Sequence, residues 1–303
     1  MPRIMLLPLF ALILSFHFIG RPGRSDKSTY LVSASWVADR LGSPDLVLLH
    51  VGDKAQYDTA HIPGAQYIGL SEISTPRGEG LLSLEMPSVG QLDSAFESKG
   101  VSDNSNVVVY YGNDWVSPTA RVYLTLDYLG LSGRTYILDG GMNAWKREDR
   151  SVTPEVVSPN RGSLTPHIQN DVIASLDWIQ ENLENPAVSL VDARTPDFYS
   201  GERLGNTDRP GHLPGACNIP FSDMVDDSLM FKPVEELREQ FTQNGVKSGK
   251  TPVSYCHIGQ QASLVYFVAR LLGYDARMFD GSTQEWGRHP ELPLVVEKQA
   301  PKQ

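Results

Sequence analysis

One of the two cysteines in this 303-residue chain, Cys256, lies where a thiol could become a nucleophile. It follows the strand-like residues 253–255 and opens the segment Cys-His-Ile-Gly-Gln-Gln-Ala, which leads into helical spacing. Backbone N–H groups at a helix start, or curled into a concave nest, stabilise an anion and favour thiolate over thiol. Gly259 lets the loop adopt conformations that a Cβ would disfavour. The pattern therefore predicts a reactive thiolate in a turn from strand to helix.

The second cysteine, Cys217, has different surroundings. It lies in the run Gly-Ala-Cys-Asn-Ile-Pro, where a small apolar side chain on a strand is the simplest interpretation. The two cysteines could also form one disulfide in an exported chain, although a single bridge is a thin framework for a protein of this size. We therefore expect the chemistry on Cys256 alone.

An internal repeat indicates which elements must position Cys256. Residues 47–51, 61–65, 107–111, 122–130 and 138–141 with Trp145 recur in the same order as residues 188–192, 212–216, 253–255, 265–273 and 279–282 with Trp286. In each copy, short β-branched runs alternate with stretches of helical spacing. This alternation predicts an α/β domain around a mostly parallel sheet, copied once along the chain.

Two motifs resemble the signatures of the rhodanese family. Tyr57-x-x-x-His61-Ile-Pro-Gly-Ala resembles the first, and Ala276-x-x-Phe279-Asp280-Gly281-Ser282-x-x-Glu285-Trp286 resembles the second, with Thr283 where an aromatic residue is usual. Together with Cys256, the motifs cover both halves of the chain from about residue 30 to residue 296. The resemblance implies an α/β fold with two tandem rhodanese-like domains, each a five-stranded mostly parallel sheet flanked by helices.

The same resemblance implies a sulfurtransferase. Cys256 would take the outer sulfur of a donor such as thiosulfate or 3-mercaptopyruvate, hold it as a persulfide, and pass it to cyanide, a thiol or a reduced thioredoxin-like protein. This cycle needs no cofactor, and the sequence contains no metal-binding motif such as CxxC or HExxH.

The residues expected to bind the substrate lie in the cysteine loop and at the end of a neighbouring strand. The loop residues are His257, Ile258, Gly259, Gln260, Gln261 and Ala262. The resemblance places Asp192 and Arg194 near this loop, with Arg194 supporting the site and Asp192 accepting hydrogen bonds. The alternative for Arg194 is a surface or interdomain ion pair without substrate contact.

The first copy lacks a thiol at the corresponding position. Aligning the copies pairs Tyr255-Cys256 with Tyr111-Gly112, and Asp114 is consistent with the acidic residue that inactive copies in the family often carry. The first domain is therefore expected to be a structural partner that walls one side of the cleft.

The loop departs from the family's familiar versions, Cys-Arg-Lys-Gly-Val-Thr and Cys-Gly-Ser-Gly-Val-Thr, so the donor preference does not carry over. A sulfonate would be met by backbone donors, the Gln amides and His257. Phe198 replaces the arginine that mercaptopyruvate enzymes carry in a Gly-Arg-Phe segment, which favours thiosulfate. Arg203 and Arg209 either compensate from a loop or are solvated.

Other conspicuous side chains are interpreted as structural. His61 and His212 occupy the same place in the two copies, which indicates a shared role such as bonding the following turn. Trp145 and Trp286 are expected in the cores. His257 is expected to tune the neighbouring thiolate, with simple solvent exposure as the alternative.

Two rival functions are weaker. Phosphatases that share this fold use a Cys-x5-Arg loop, and here Ala262 stands in the arginine's position, so bidentate phosphate recognition is missing. The other rival is a non-catalytic exported sulfur-carrier or binding module. The second copy keeps a complete cysteine loop, whereas the first copy has lost it. This retention argues against a pure binding module.

The net charge of the chain restricts its possible partners, and the N-terminal segment indicates its location. A net charge of −10 disfavours nucleic acid. The apolar run at residues 4–19 lies between Arg3 and Arg21, the pattern of an export signal, with an uncleaved membrane anchor as the alternative. We expect a periplasmic or otherwise extracytoplasmic protein that contacts a membrane only if this segment is retained.

The predicted division of the chain follows from these observations. Residues 1–27 form the signal peptide or anchor, 28–150 the domain without the catalytic cysteine, 151–166 a linker, 167–296 the catalytic domain and 297–303 a tail.

Overall fold

The computed structural model describes residues 30–76, 78, 81–112 and 115–297. The expected export segment at residues 1–27 therefore lies outside the described residues. Among the residues that are described, no helix is both long and apolar enough to cross a membrane.

The first half of the chain folds around a five-stranded sheet. Its strands are β1 (Leu31–Val32), β2 (Leu46–Val51), β3 (Gln66–Tyr67), β4 (Asn106–Tyr111) and β5 (Thr135–Leu138), and its α-helices are α1 (Ala34–Ala38), α2 (Lys54–Thr59), α3 (Val89–Ser98), α4 (Ser117–Tyr128) and α5 (Gly141–Arg147). The strand order is β1-β5-β4-β2-β3, and every neighbouring pair is parallel.

The second half repeats this arrangement. Its strands are β6 (Ile173–Ala174), β7 (Val188–Asp192), β8 (Cys217–Asn218), β9 (Thr251–Tyr255) and β10 (Arg277–Phe279), and its α-helices are α6 (Leu176–Asn182), α7 (Pro196–Ser200), α8 (Val234–Gln243), α9 (Gln260–Leu271) and α10 (Ser282–Trp286). The strand order is β6-β10-β9-β7-β8, again with every pair parallel. Two tandem α/β domains with five-stranded parallel sheets are confirmed.

Local sequence explains where the elements begin and how deeply they are buried. The central strands β2, β4 and β9 are buried over most of their length, as expected for parallel sheets covered on both faces. Helices α1 and α6 begin after Ser33 and Ser175, whose hydroxyls accept hydrogen bonds from N–H groups in the first turn. Each domain therefore repeats the same local signals around the same sheet.

Helices α4 and α9 form the centre of the interface between the two domains. The rings of Tyr123 and Phe267 meet edge to face with their centroids 4.7 Å apart, and Tyr266 donates a 2.6 Å hydrogen bond to Asp127. Both helices are buried on nearly every side because each lies between its own sheet and the other helix. One cluster of buried apolar residues therefore spans the two domains at this interface.

Two loops make reciprocal contacts across this interface. The backbone N–H of Met86, from the first domain, donates to the Asp280 carboxylate at 2.7 Å. The N–H of Phe231, from the second domain, donates to the Asp139 carboxylate at 2.8 Å. Asp139 and Asp280 are equivalent residues of the repeat, so each domain covers the same edge of its partner.

The segment at residues 151–166 lies along the first domain. Thr153 forms a two-way backbone bridge with His61, and the N–H groups of Gly162 and Leu164 donate to Glu97. This segment contains no helix or named strand in the described structure. Its path is therefore fixed by contacts with the domain that precedes it.

Candidate functional site

Cys256 lies directly after β9, at the carboxyl edge of the second sheet, and its side chain is completely buried. Its backbone N–H donates to the Ser282 hydroxyl at 3.1 Å, and its carbonyl accepts from the Thr283 N–H at 3.1 Å. Ser282 adopts a left-handed conformation with φ of 51° at the start of α10. The second signature motif therefore holds the backbone of the cysteine in place.

The loop from Cys256 into α9 turns at Gly259, which has a φ of 82°. A Cβ at this glycine would lie 3.0 Å from the Asp280 carbonyl and 3.1 Å from a guanidinium nitrogen of Arg121. Both the N–H and the hydroxyl of Ser263 bond back to the Gly259 carbonyl. Glycine suits this position, because both the left-handed backbone and the close neighbours disfavour a Cβ.

The N–H groups of the loop can serve an anion. Those of residues 258–262 donate to no acceptor within the described part of the chain, as expected for the first turn of a helix. Gly259 and Ala262 are buried, whereas His257, Ile258, Gln260 and Gln261 are half-buried at the mouth of the loop. The arrangement can stabilise a thiolate or a persulfide anion on Cys256.

Arg194 lies at the end of β7 and is buried. Its guanidinium pairs side-on with the Asp192 carboxylate through bonds of 2.6 to 3.1 Å, and it also donates to the Gly211 carbonyl at 2.8 Å. Burial alone would lower the pKa of Arg194, but the hydrogen bonds and charge of Asp192 raise it, and a Cys256 thiolate adds to that rise. The pair is internal to the second domain, and neither a surface pair nor an interdomain pair as the alternative supposed. Asp192 is the structural acceptor that the sequence predicted.

His257 carries no positive charge at neutral pH. Burial, followed by the nearby Arg194 charge, lowers the pKa of His257 to about 4. Its ring meets the edge of Phe198 at 4.6 Å, and Nδ1 has no hydrogen-bond partner among the described residues. His257 can donate a hydrogen bond to a sulfonate. The positive charge that balances the sulfonate must come from another residue.

The stretch at residues 201–211, which has no counterpart in the first domain, covers the loop. The Asn206 amide donates to the His257 carbonyl at 3.0 Å, and Gly205 packs so closely on the imidazole that a Cβ there would lie 2.7 Å from it. Arg209 is committed to the carbonyls of His289 and Leu292. The alternatives for Arg209 are therefore both wrong, because it holds the fold. Arg203 lies over the Phe198 ring at 4.5 Å.

The remaining cysteine and the paired histidines have structural surroundings. Cys217 and Cys256 are not bridged, and burial raises the pKa of Cys217 to about 11. His61 stacks on Tyr57 and bonds its carbonyl at 2.7 Å, while His212 stacks on Tyr199 and bonds its carbonyl at 2.8 Å. These matched contacts support the structural role predicted for both histidines.

The strand registers correct the alignment of the two copies. Tyr110 accepts a 3.1 Å bond from the Ile62 N–H, and Tyr255 accepts the same bond from Leu213. Tyr110 is thus the counterpart of Tyr255, and Tyr111, rather than Gly112, stands in the place of Cys256. The predicted pairing was wrong by one residue, because adjacent tyrosines in the first copy gave the sequence two equal choices. Asp114 lies outside the described residues.

Sequence reasoning missed Arg121, a residue of the first domain that lies against the cysteine loop. Its guanidinium is completely buried and pairs with Asp280 at 2.6 Å while also donating to the Leu84 carbonyl. A charged residue next to the apolar helical stretch at residues 122–130 was the available signal. Nothing in the sequence around Asn206 indicated that this residue contacts the cysteine loop.

Comparison with known proteins places this site in a family. The rhodanese-like domain family matches twice, over residues 33–148 and 175–289. The chain is 30% identical over 262 residues to the thiosulfate sulfurtransferase of Azotobacter vinelandii, covering 85% of this chain and 93% of that one. It is 34% identical over 282 residues to the sulfur carrier protein TtuD of Thermus thermophilus, covering 88% and 96%.

A solved structure shares the fold at lower sequence identity. The anaerobic ergothioneine biosynthesis enzyme from Chlorobium limicola superposes with a TM-score of 0.78 at 21% identity, over 90% of this chain and 72% of that one. The duplicated sheet, the cysteine loop and the family match over both halves agree with one another. The chain therefore belongs to the rhodanese family of sulfurtransferases, as a member with two tandem domains.

Proposed function

We propose that the protein moves sulfane sulfur from thiosulfate to a thiophilic acceptor through a persulfide on Cys256. The observation that carries this proposal is a buried cysteine before a loop in which the N–H groups of residues 258–262 donate to no acceptor among the described residues. Thiosulfate is the donor named for relatives such as the Azotobacter vinelandii protein. Phe198 at the position of the mercaptopyruvate enzymes' arginine also favours thiosulfate.

In the first half of the cycle, the Cys256 thiolate attacks the outer sulfur of thiosulfate. The sulfur–sulfur bond of the donor breaks, its electron pair leaves with sulfite, and the negative charge moves to the outer sulfur of the new persulfide. The N–H groups of residues 258–262 stabilise this charge before and after the step. The Arg194 guanidinium also attracts the anion, although its partner Asp192 offsets part of that attraction.

In the second half, the acceptor attacks the outer sulfur of the persulfide. Cyanide would leave as thiocyanate and a thiolate as a persulfide, and in both cases the electron pair of the broken bond returns to Cys256. A reduced thioredoxin-like protein is a further acceptor of this chemistry. Both steps balance in charge and electrons without a cofactor. The same loop N–H groups therefore serve both halves of the cycle.

Access to Cys256 requires movement at the mouth of the loop. The thiol itself has no exposed surface, whereas His257, Gln260 and Gln261 are half-buried around it. The donor reaches the sulfur when these side chains are displaced. The outer sulfur of the persulfide then extends towards the surface, where an acceptor meets it.

The expected partners and location complete the proposal. The partners are the small donor and acceptor, without nucleic acid, because the net charge is −10. The apolar run at residues 4–19 favours an extracytoplasmic location, with membrane attachment only if that run is retained.

The test exploits the presence of two cysteines in the whole chain. Purified protein mixed with thiosulfate should release one equivalent of sulfite and gain the mass of one sulfur atom on Cys256, as measured by intact-protein and peptide mass spectrometry. Cys256→Ser should do neither, whereas the matched control Cys217→Ser should do both. Sulfur loading that survives in Cys256→Ser, or that disappears in Cys217→Ser alone, would contradict the proposal.

A further inference from the structure

Asn206 lies in the stretch at residues 201–211, which the first domain lacks, and it reaches the beginning of α10. Its side-chain oxygen accepts a hydrogen bond from the Thr283 hydroxyl at 3.3 Å. In the first copy the counterpart of Thr283 is the apolar Met142. The second copy therefore has a polar side chain at this position, where the added stretch meets the helix.

The added stretch is held along α10 by further contacts. The methyl group of Thr207 packs so closely on Gly287 that a Cβ at this glycine would lie 2.5 Å from it. Arg209 donates to two backbone carbonyls that follow the helix. These contacts fix the part of the stretch that carries Asn206.

The carbonyl of His257 accepts two hydrogen bonds. The N–H of Gln284, in α10, donates to it at 3.1 Å, and the side-chain amide of Asn206 donates to it at 3.0 Å. A carbonyl oxygen has two lone pairs, which lie near the plane of its peptide group. One donor leaves the peptide able to rotate about that single bond, whereas two donors fix its plane. Asn206 therefore fixes the orientation of the peptide that follows His257.

The same peptide group carries the N–H of Ile258. In a planar trans peptide the C=O and the N–H point in opposite directions. The bonds that hold the His257 carbonyl towards α10 therefore hold the Ile258 N–H away from that helix. This N–H donates to no acceptor among the residues that the structure describes. It is the first of the N–H groups at residues 258–262 to which the proposed function assigns the anion on Cys256.

We infer that Asn206 is a positioning residue for the chemistry of Cys256. Through the His257 carbonyl, it directs the Ile258 N–H as a donor to the thiolate and the persulfide. The inference rests on the proposed function, because that function supplies the anion. Asn206 acts on the peptide of the loop and not on the reacting sulfur. Thr283 supports this role by holding the oxygen of the amide, so that its nitrogen faces the carbonyl.

The test measures how the alkylation of Cys256 by iodoacetamide depends on pH. The full-length protein carries Cys217→Ser, so that Cys256 is the one thiol in the chain. Asn206 is exposed, so Asn206→Ala should keep the native fold in urea unfolding. The midpoint of the alkylation profile should rise by about half a pH unit, because a weakened hydrogen bond to the anion favours the thiol. Below the midpoint, sulfur loading by thiosulfate should slow about threefold, in proportion to the lost thiolate.

Thr283 provides the matched variants. Thr283→Val removes the hydroxyl that holds the amide and should raise the midpoint by less than Asn206→Ala does, whereas Thr283→Ser keeps the hydroxyl and the native midpoint. In the double variant of Asn206→Ala and Thr283→Val, the midpoint should equal that of Asn206→Ala, because the hydroxyl acts through the amide. Leu204→Ala, at an exposed position in the same stretch, should change neither the midpoint nor the loading rate.

Two results would overturn the inference. The first is an unchanged midpoint in Asn206→Ala; if alkylation were also faster at every pH, Asn206 would only cover the mouth of the loop. The second is a double variant in which the two shifts add. Alkylation needs no sulfur donor, so a native protein that takes no sulfur from thiosulfate would contradict the proposed function and leave this measurement valid. The two proposals therefore fail in distinguishable ways.

Discussion

At the scale of single residues, positive charge near Cys256 comes from a guanidinium and not from an imidazole. Arg194 is buried, and its pair with Asp192 keeps it charged. His257, with its pKa lowered to about 4 by burial, is neutral over the physiological range. The thiolate that we propose on Cys256 would therefore be stabilised by backbone dipoles and by guanidinium groups, and not by a titrating histidine.

Replacing His50 by Asn should flatten the acid side of the stability profile. Burial lowers the pKa of His50 from 6.5 to about 4 in the folded protein. Between these values the unfolded chain binds more protons, so the free energy of unfolding falls as the pH falls. The full effect is at most about 3 kcal/mol. Urea unfolding at pH 7 and pH 4.5 should show a smaller loss of stability in His50→Asn than in the native chain.

The matched control for this prediction is His289→Asn. His289 has a surface side chain whose ring bonds the Glu291 carboxylate. Its replacement should leave the dependence of stability on pH close to that of the native protein. Equal profiles for His50→Asn and the native chain would show that His50 does not stay neutral when folded.

The sequence indicated the candidate nucleophile at this scale, whereas it did not indicate two of the residues that contact its loop. Cys256 stood out because a thiol, a glycine and a helix start occurred within a few residues. Arg121 and Asn206 lie far from it in sequence and reach the loop only through the packing of separate elements. Chain periodicity carries no information about such contacts.

At the scale of elements, the turn from β9 into α9 depends on Gly259. Replacing it by Ala should cost about 1 kcal/mol for the left-handed backbone, with more from the carbonyl 3.0 Å from the new Cβ. The turn also sets the directions of the N–H groups of residues 258–262, which we propose to stabilise the anion on Cys256, so sulfur loading should also fall strongly. Loading by thiosulfate, followed by mass spectrometry, and urea unfolding measure the two effects.

Gly273→Ala separates these two effects. Gly273 has a φ of 86°, close to that of Gly259, but a Cβ there would meet nothing within 4 Å. It should lose a similar backbone contribution and keep native sulfur loading. If Gly259→Ala loads sulfur as well as Gly273→Ala does, the geometry of this turn is not what activates the cysteine.

Element types and the repeat could be predicted from the sequence because both are local patterns. Alternating apolar runs and helical spacing predicted two parallel α/β sheets, and the sheets have that arrangement. The register between the copies could not be predicted, because Tyr110 and Tyr111 both resemble Tyr255 and only the hydrogen bond from Ile62 distinguishes them. The short strands β3 and β8 have two residues each, too few for any periodicity.

At the scale of the whole molecule, the two domains are linked by reciprocal contacts with unequal chemistry. Leu84 and Leu229 occupy equivalent left-handed positions with φ of 58° and 60°. The Leu84 carbonyl accepts from the buried Arg121, whereas the Leu229 carbonyl accepts from Tyr111 at 2.5 Å. The first domain therefore places a buried guanidinium against the cysteine loop.

Breaking the charge pair between the domains should therefore affect both stability and chemistry. Arg121 and Asp280 are 0% and 9% exposed, so Arg121→Met strands a buried carboxylate and should cost about 3 kcal/mol. Sulfur loading should also slow, because the guanidinium lies against Gly259. Adding Asp280→Asn removes the stranded charge while leaving an oxygen for the Met86 N–H, and should restore more than half of the lost stability.

Lys54→Met, which breaks an exposed pair with Asp58, should change neither urea unfolding nor thiosulfate loading. If the double variant is no more stable than Arg121→Met, the loss does not arise from an unpaired charge, and the pair does not link domain docking to the cysteine loop in this way.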